Sequence, residues 1–518
     1  MQAATGPRAT GSGASLEKDA QRIAALLKKY QYLFLLILTL VYAVGAIGNA
    51  RNRPLWYDEV VTVMAASAPD AAGTWNAAQA IDANPPLLHL LTHFSMQWFG
   101  PGEIAVRLPA ILGFWVFCLC LYRFTLRRVG IYYALLALLL PIATEAYTYA
   151  YEARAYGLEL AFCGLALVAW QLAAEGSKRL LACVLLALSL ACAILCHYYA
   201  ILVYLPLASG EAFRSWRARR IDWPVWAALA AGGAPVVWRV ASITRVVGGF
   251  SHPTWAPAYP EQVIEFWQEG LQHVLSFLVL GVAILAVWMI RNGSTSGAAE
   301  DAGSPPVLAD HELVAGSLFL AIPIFAVGSG LLVTHMFTGR YALVSLTGVA
   351  LLTPMIVARL SHGRALPGFL LLCLSLLPLA YVTVEIPPPR QPFADETILV
   401  KALRQGSVVV TDGHLFLQMW QYAPGALKSH LLFVVDNAAA VKYMGFDSID
   451  GGLRALRSWS SVQVIEYRDF ATPGREFLLY QNPFRPGWLL PRIVADGGSA
   501  ELVTLTNYRQ LYRARLKP

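Results

Sequence analysis

The chain has 518 residues, 57% hydrophobic and 14% charged, with a mean hydropathy of +0.52 and a formal net charge of +7. Soluble domains carry about 25% charged residues. An ordinary water-soluble enzyme is therefore excluded, as are a disordered chain and a nucleic-acid binder, which need many more solvated or cationic groups. The composition is that of a polytopic α-helical membrane protein.

Residues 1–30 form a polar amino-terminal tail rich in Gly, Ala and Ser, with no small-residue cleavage site after the first apolar run, so no secretory signal is expected. Apolar runs of spanning length follow near residues 31–49, 104–125, 131–150, 155–174, 179–196, 199–213, 222–242, 271–290, 313–334, 341–359 and 365–384. These predict about 11 transmembrane helices across residues 31–384. The run at 199–213 is short and joins its predecessor through His197 and Tyr198. All seven cysteines lie inside these runs without a C-x-x-C pair, and read as small packing residues.

Basic residues set the orientation, because Lys and Arg concentrate in cytoplasmic loops. With a cytoplasmic tail, the inner side holds 15 of them, including Arg127, Arg128 and the Arg214–Arg220 cluster, against six on the outer side. The stretch 85–99 is left out of the span count. It is too short, carries His89 and His93 four apart, and as a span would invert every later loop. It is expected as an interfacial helix inside a first outer loop of residues 50–102. An odd number of spans then places residues 385–518 outside. That segment has 27 charges in 134 residues, against 44 in the other 384. Strand-like runs (Ser407–Thr411, Leu431–Val435, Val462–Tyr467, Phe477–Tyr480) alternate there with helical stretches such as His414–Tyr422, predicting a small extracytoplasmic α/β domain.

Ionisable residues are costly at membrane depth, so their gathering on one side is informative. Asp58, Glu59, Asp82, His89 and His93 lie in the first outer loop, Glu103 and Arg107 open the second span, and Glu145, Glu152, Arg154, His197, His335 and Arg340 sit at later outer ends. Mixed signs fit a site that holds an anion with arginines and removes a proton with a carboxylate. Each residue also has a plain structural reading. Asp58 would cap the helix beginning at Glu59, Arg154 would pair with a nearby glutamate such as Glu152, and Tyr147, Tyr149, Tyr151, Tyr198 and Tyr199 would form an interfacial belt. The two loop histidines would be interface residues rather than metal ligands.

The segment Arg53-Pro54-Leu55-Trp56-Tyr57-Asp58-Glu59, then Asn84-Pro85-Pro86, then Arg107-Leu108-Pro109-Ala110, resembles the first outer loop of the GT-C membrane glycosyltransferases. It is most similar to the group of protein O-mannosyltransferases, aminoarabinose transferases and rhizobial galacturonosyltransferases. Glu152-Ala153-Arg154-Ala155-Tyr156, His197-Tyr198-Tyr199 and Arg340-Tyr341 fit the same group, so the resemblance covers roughly residues 30–360. It implies a GT-C fold and inverting transfer, on the outer face, of a hexose or pentose from a polyprenyl monophosphate to a lipid, glycan or protein hydroxyl. Asp58 would be the base and Glu59 its support. Arg154, with Arg340 as a second candidate, would hold the phosphate, and Asp82, Asn84, His89, Glu152, Tyr156, His197 and His335 would bind or support substrate. No cofactor is implied. The absence of a D-x-D or D-x-E in an outer loop disfavours a metal-dependent pyrophosphate donor, leaving a divalent metal open. Asn84 stands where relatives often carry His, which leaves sugar and acceptor undecided. A transporter or lipid-linked-sugar flippase is the alternative, but it should show repeats and broken, charged segments near the midplane, and neither is visible.

Overall fold

The computed structural model describes residues 11–249, 254–292, 309–384, 386–506 and 508–518. Residues 1–10 of the expected tail, and Glu385 at the expected domain boundary, lie outside the described residues. Among the described residues, six helices are long and apolar enough to cross a membrane: Gln31–Asn52, Glu103–Leu126, Tyr156–Ala174, Arg179–Cys196, Asp310–Thr334 and Gly339–Leu360. A seventh crossing would be a pair bent by 73°, Ile131–Ala143 with Glu145–Tyr151.

The eleven apolar runs are therefore not eleven straight helices. The run at 222–242 is divided into Trp223–Gly232, Ala234–Trp238 and Val240–Gly249, at a Gly232-Gly233 pair followed by Pro235, where helix propensity is poorest. The run at 199–213 becomes a 3-10 turn, Tyr198–Val203, leading into the helix Tyr204–Arg217. The amino-terminal segment also differs from a plain tail. Gly11–Lys29 is helical, Tyr132 donates to the Ala20 carbonyl at 2.7 Å, and Glu17 accepts the free N–H groups of Ala365 and Leu366 at 2.8 and 3.0 Å. A carboxylate at a helix N-terminus satisfies orphan donors and opposes the helix dipole.

The bundle closes most tightly where Glu103–Leu126 crosses Tyr156–Ala174. A Cβ on Gly157 would lie 2.5 Å from the Ala110 carbonyl oxygen, and one on Gly113 would lie 2.7 Å from that of Gly157. Small residues permit this backbone approach, and it fixes the start of the helix that follows Arg154. The far ends of the same helices are tied by charge: Arg128 grips Glu312 at 2.7 and 2.6 Å, and Arg127 pairs with Glu175. Arg127 and Arg128, counted as orienting charges, are thus also ion-pair partners.

The carboxy-terminal segment carries a six-stranded sheet in the order β3-β2-β1-β4-β6-β5. The strands are β1 Val408–Val410, β2 Leu431–Val435, β3 Val464–Glu466, β4 Glu476–Gln481, β5 Ser499–Thr506 and β6 Arg509–Arg515. β1 to β4 pair in parallel, and β5 and β6 add an antiparallel hairpin. The first four lie on the strand-like runs expected from sequence. β5 and β6 lie outside those runs; β5 is mostly exposed, so it has no buried face to generate alternation. Beside β1 lies the helix Gly413–Tyr422, whose N-cap Asp412 accepts from His414 N and Leu415 N at 3.0 and 3.3 Å. Phe416, Leu415 and Leu453 of this segment share one buried apolar cluster with Leu55, Val60, Val106 and Ala153 of the bundle side. The sheet is thus seated on the loop that carries Asp58.

The Gly113–Gly157 crossing yields a direct prediction. Gly157→Val forces the two backbones apart, and overpacking of this kind costs about 1–3 kcal/mol. A clear drop in the melting temperature of the detergent-solubilised protein is the expected result, with Gly130→Ala, which meets no atom closer than 3.9 Å, as the neutral control.

Candidate active site

The chain leaves the first long helix at Asn52 and re-enters a helix at Tyr57–Ala66, whose N-cap is Trp56. Asp58 therefore sits in the first turn and does not cap it. The capping contact comes from Glu59, whose Oε2 accepts Trp56 N–H at 3.2 Å. Glu59 is completely buried and gripped by Arg107, itself 2% exposed. Arg107 Nε donates to Glu59 Oε1 at 2.7 Å and Nη2 to Oε2 at 2.5 Å, and Ala153 N–H donates to Glu59 Oε1 at 2.7 Å. The remaining Arg107 donors go to the carbonyls of Ala50, Arg53 and Pro54. Glu59 is thus saturated by bonds that hold the turn on which Asp58 stands.

Asp58, adjacent on the helix, points elsewhere. Its Oδ2 lies 3.7 Å from Arg154 Nε and 3.4 Å from Arg340 Nη1. Arg154 reaches on to Asp82 Oδ2 at 3.2 Å, while its bond to Glu152 is between backbones, Arg154 N–H donating to Glu152 O at 2.7 Å, so the side-chain pairing expected with a glutamate is replaced by Asp58 and Asp82. Asp82 is the hub of this side. It receives His89 Nε2 at 3.3 Å and accepts from Asn84 N and Nδ2 at 2.9 and 3.0 Å. Burial alone would raise its pKa, but the Arg154 guanidinium and the His89 and Asn84 contacts outweigh it and hold the carboxyl well below the usual range. Asp58, Asp82, Asn84, His89, Arg154 and Arg340 are thus brought together from four separate stretches of chain.

Beside this cluster opens a cavity of about 560 Å³ lined by Arg53, Trp56, Tyr149, Tyr151, Glu152, Arg340 and Arg390, among others. Arg340 belongs to both, since it lines the cavity and approaches Asp58, with Trp56 and Trp255 rings 5.8 and 5.7 Å from its guanidinium carbon. Glu152 lines the wall. Burial, reinforced by the nearby Glu59 charge, lifts its carboxyl to about 7 in spite of Arg53, Arg107 and Arg340. Beneath lies an aromatic nest in which His197 is 5.3 Å from both Tyr156 and Tyr341, and Tyr199 stacks on Tyr341 at 4.7 Å. Burial and the two arginines push His197 down to about 3, so it is neutral at physiological pH.

Several expectations change here. His335 is exposed in a left-handed turn, with its backbone carbonyl accepting Ala258 N–H at 3.3 Å. Tyr147 is fully buried, and Tyr149 and Tyr151 line the cavity, so they are not a lipid-facing belt. The Leu87–Phe99 helix exposes Phe94, Trp98 and Phe99 but buries His89 and His93. His93 Nδ1 meets the Ala66 carbonyl at 2.8 Å, so the histidines face the protein. Sequence reasoning noted Arg107 without giving it a role, although an arginine in the first turn of a span is a strong signal of a buried partner. Trp56 as a site residue, Arg53 and Arg390 were missed.

Buried polar atoms without a hydrogen-bond partner collect at this site: Trp56 Nε1, both His89 ring nitrogens, Arg154 Nε and Arg340 Nε. Buried polar groups are normally satisfied, so these atoms have bonding capacity for water or a polar ligand. Among the described residues, no three His, Cys, Asp or Glu side chains are grouped to hold a metal ion.

The fold has known counterparts. The crystal structure of ArnT from Cupriavidus metallidurans in the apo state matches over 94% of this chain and 98% of its own, with a TM-score of 0.53 at 13% identity. The same protein bound to undecaprenyl phosphate matches over 93% and 98%, with a TM-score of 0.55 at 14% identity. The chain therefore shares the fold of these structures. An Archaeoglobus fulgidus oligosaccharyltransferase matches more loosely, with a TM-score of 0.43 at 11% identity over 86% of this chain and 67% of its own. No protein-family model matches the sequence, and no curated protein does.

The Glu59–Arg107 pair can be tested for its structural role. Removing one partner of a buried ion pair leaves the other charge uncompensated and costs about 3–5 kcal/mol. Glu59→Gln is therefore expected to lower the yield of folded protein and its melting temperature sharply, whereas Asp58→Asn leaves both close to wild type. Equal stability of the two variants would contradict this division of labour.

Proposed function

We propose that the protein is an inverting glycosyltransferase that moves a sugar from a polyprenyl monophosphate to a hydroxyl of an envelope lipid, glycan or protein, on the extracytoplasmic side of the membrane. The observation that carries this reading is Asp58 held between Arg154 and Arg340 at the edge of a cavity that Arg340 also lines. The cavity volume falls in the range of small-molecule sites, and the solved counterpart holds undecaprenyl phosphate.

In this reaction Asp58 takes the acceptor O–H proton as the acceptor oxygen bonds to the anomeric carbon and the bond from that carbon to the phosphate oxygen breaks. The donor's phosphodiester carries one negative charge and the departing phosphate two. The added charge requires fixed cationic donors, and Arg340 is the better placed. Arg154, buried and held by Asp82, orients Asp58 in addition to any phosphate contact. Asp58→Asn keeps the side-chain shape but not the proton acceptor, and loss of a general base costs on the order of a hundredfold to ten-thousandfold. Turnover of a purified Asp58→Asn variant at close to the wild-type rate would end this assignment.

Glu152 supplies a pH signature. With its carboxyl at about 7, it changes from neutral to anionic between pH 6 and 8. A donor phosphate in the same cavity disfavours the anionic form, so donor binding is coupled to proton uptake. Donor affinity should therefore fall as the pH rises through 7, because the donor phosphodiester itself does not titrate there. In Glu152→Gln the affinity should be flat over that interval, as read by titration calorimetry in detergent.

A further inference from the structure

The segment from Arg53 to Trp56 is the hinge on which Asp58 is presented, and every one of its backbone polar groups has a partner. Arg53 N–H donates to Asn49 O at 3.1 Å, the Arg53 and Pro54 carbonyls accept from Arg107, Trp56 N–H goes to Glu59, and Trp56 O accepts Val60 N–H at 3.0 Å. The two groups left belong to Leu55, and both are taken by the carboxy-terminal domain. Leu55 N–H donates to Tyr422 Oη at 2.8 Å, and Leu55 O accepts from Gln418 Nε2 at 2.9 Å. Tyr422 Oη then donates to Glu103 at 3.1 Å, at the start of the helix that carries Arg107. The Leu55 side chain is 1% exposed, in the apolar cluster that holds Phe416 and Leu415 of the Gly413–Tyr422 helix. One turn further on, the His414 ring lies 4.8 Å from that of Tyr57, the neighbour of Asp58.

We infer that the carboxy-terminal domain is a clamp on the catalytic loop, with Gln418 and Tyr422 as positioning residues that set where Asp58 stands. An unpaired peptide group in this buried setting would shift to find a partner, and Asp58 lies only three residues on. The transfer step is sensitive to such a shift, since a displacement of about 1 Å at a reacting group costs on the order of a hundredfold. Donor binding is less sensitive, because Arg340, the cavity arginine proposed to hold the phosphate, is carried by a separate stretch of chain. The inference rests on Asp58 being the base.

The test uses the full chain in detergent or nanodiscs. The double variant Gln418→Ala/Tyr422→Phe should lower kcat on the order of a hundredfold, with donor affinity unchanged and the protein still folded, its melting temperature lowered only by the loss of the two hydrogen bonds. Wild-type kcat in that variant overturns the clamp, and so does a parallel loss of donor affinity or of folded protein, which would show a merely structural role. A second pair guards against a folding defect. Gln418→Lys keeps a donor for Leu55 O and should recover most of the turnover lost in Gln418→Glu, which sets an acceptor against an acceptor. Equal behaviour of the two overturns the proposal. Asp58→Asn, measured alongside, separates the two readings: if it is active the base assignment falls, and if it is inactive while the double variant is normal, the clamp alone falls.

Discussion

The buried pair of Arg107 and Glu59 is the constraint from which the site is built. Burying a guanidinium and a carboxylate is costly, and their attraction offsets that cost only if the remaining donors and acceptors are also satisfied. Arg107 meets this condition by gathering both Glu59 oxygens and the carbonyls of Ala50, Arg53 and Pro54, while Ala153 N–H completes Glu59. Three stretches are thereby locked together: the end of the first long helix, the loop after it, and the turn that carries Arg154. Adjacent residues on a helix point about 100° apart. With Glu59 turned inward, Asp58 is directed at Arg154 and Arg340.

Around Asp58 the charges nearly balance, with two carboxylates, Asp58 and Asp82, against two guanidiniums, Arg154 and Arg340. The arginines differ in commitment. Arg154 has two carboxylate partners and is 8% exposed at its side chain, whereas Arg340 has one and lines the cavity. On the proposed reading, an arriving phosphate competes with Asp58 for Arg340 alone. Binding of the donor then loosens the cation that would otherwise blunt the base, and leaves Arg154 to hold it in place. A site with a single shared arginine could not both orient the carboxylate and receive the anion.

Much of this was legible in the sequence where chemistry and spacing coincide. The Asp58-Glu59 pair, Arg154, Asp82 with Asn84, and Arg340 carry charge into stretches that composition marks as membrane-associated, and the structure brings them into one cluster. Their pairings were not legible. Neighbours in sequence suggested Glu152 for Arg154, but the 3-10 turn Glu145–Tyr151 and the extended backbone at Glu152 send the two side chains apart, Glu152 to the cavity wall and Arg154 to Asp58 and Asp82. The tyrosines were misread because hydropathy alone does not distinguish a ring facing lipid from one facing a polar cavity.

Contacts separated by hundreds of residues lie furthest from any pattern in the sequence, and they decide what the carboxy-terminal domain does. Leu55 and Tyr422 are 367 positions apart, and no periodicity links them. The arrangement nevertheless has a physical rationale. A transferase at a membrane surface, as proposed here, takes one substrate from the bilayer and another from outside it, so its base must stand at the boundary between two media. A loop at such a boundary has water on one side to compete for its peptide groups. Held from within by Arg107 and from without by Gln418 and Tyr422, the Arg53–Trp56 segment leaves no peptide group for water to take. The membrane body alone satisfies all of that segment except Leu55, so the second domain completes the loop rather than merely resting on it.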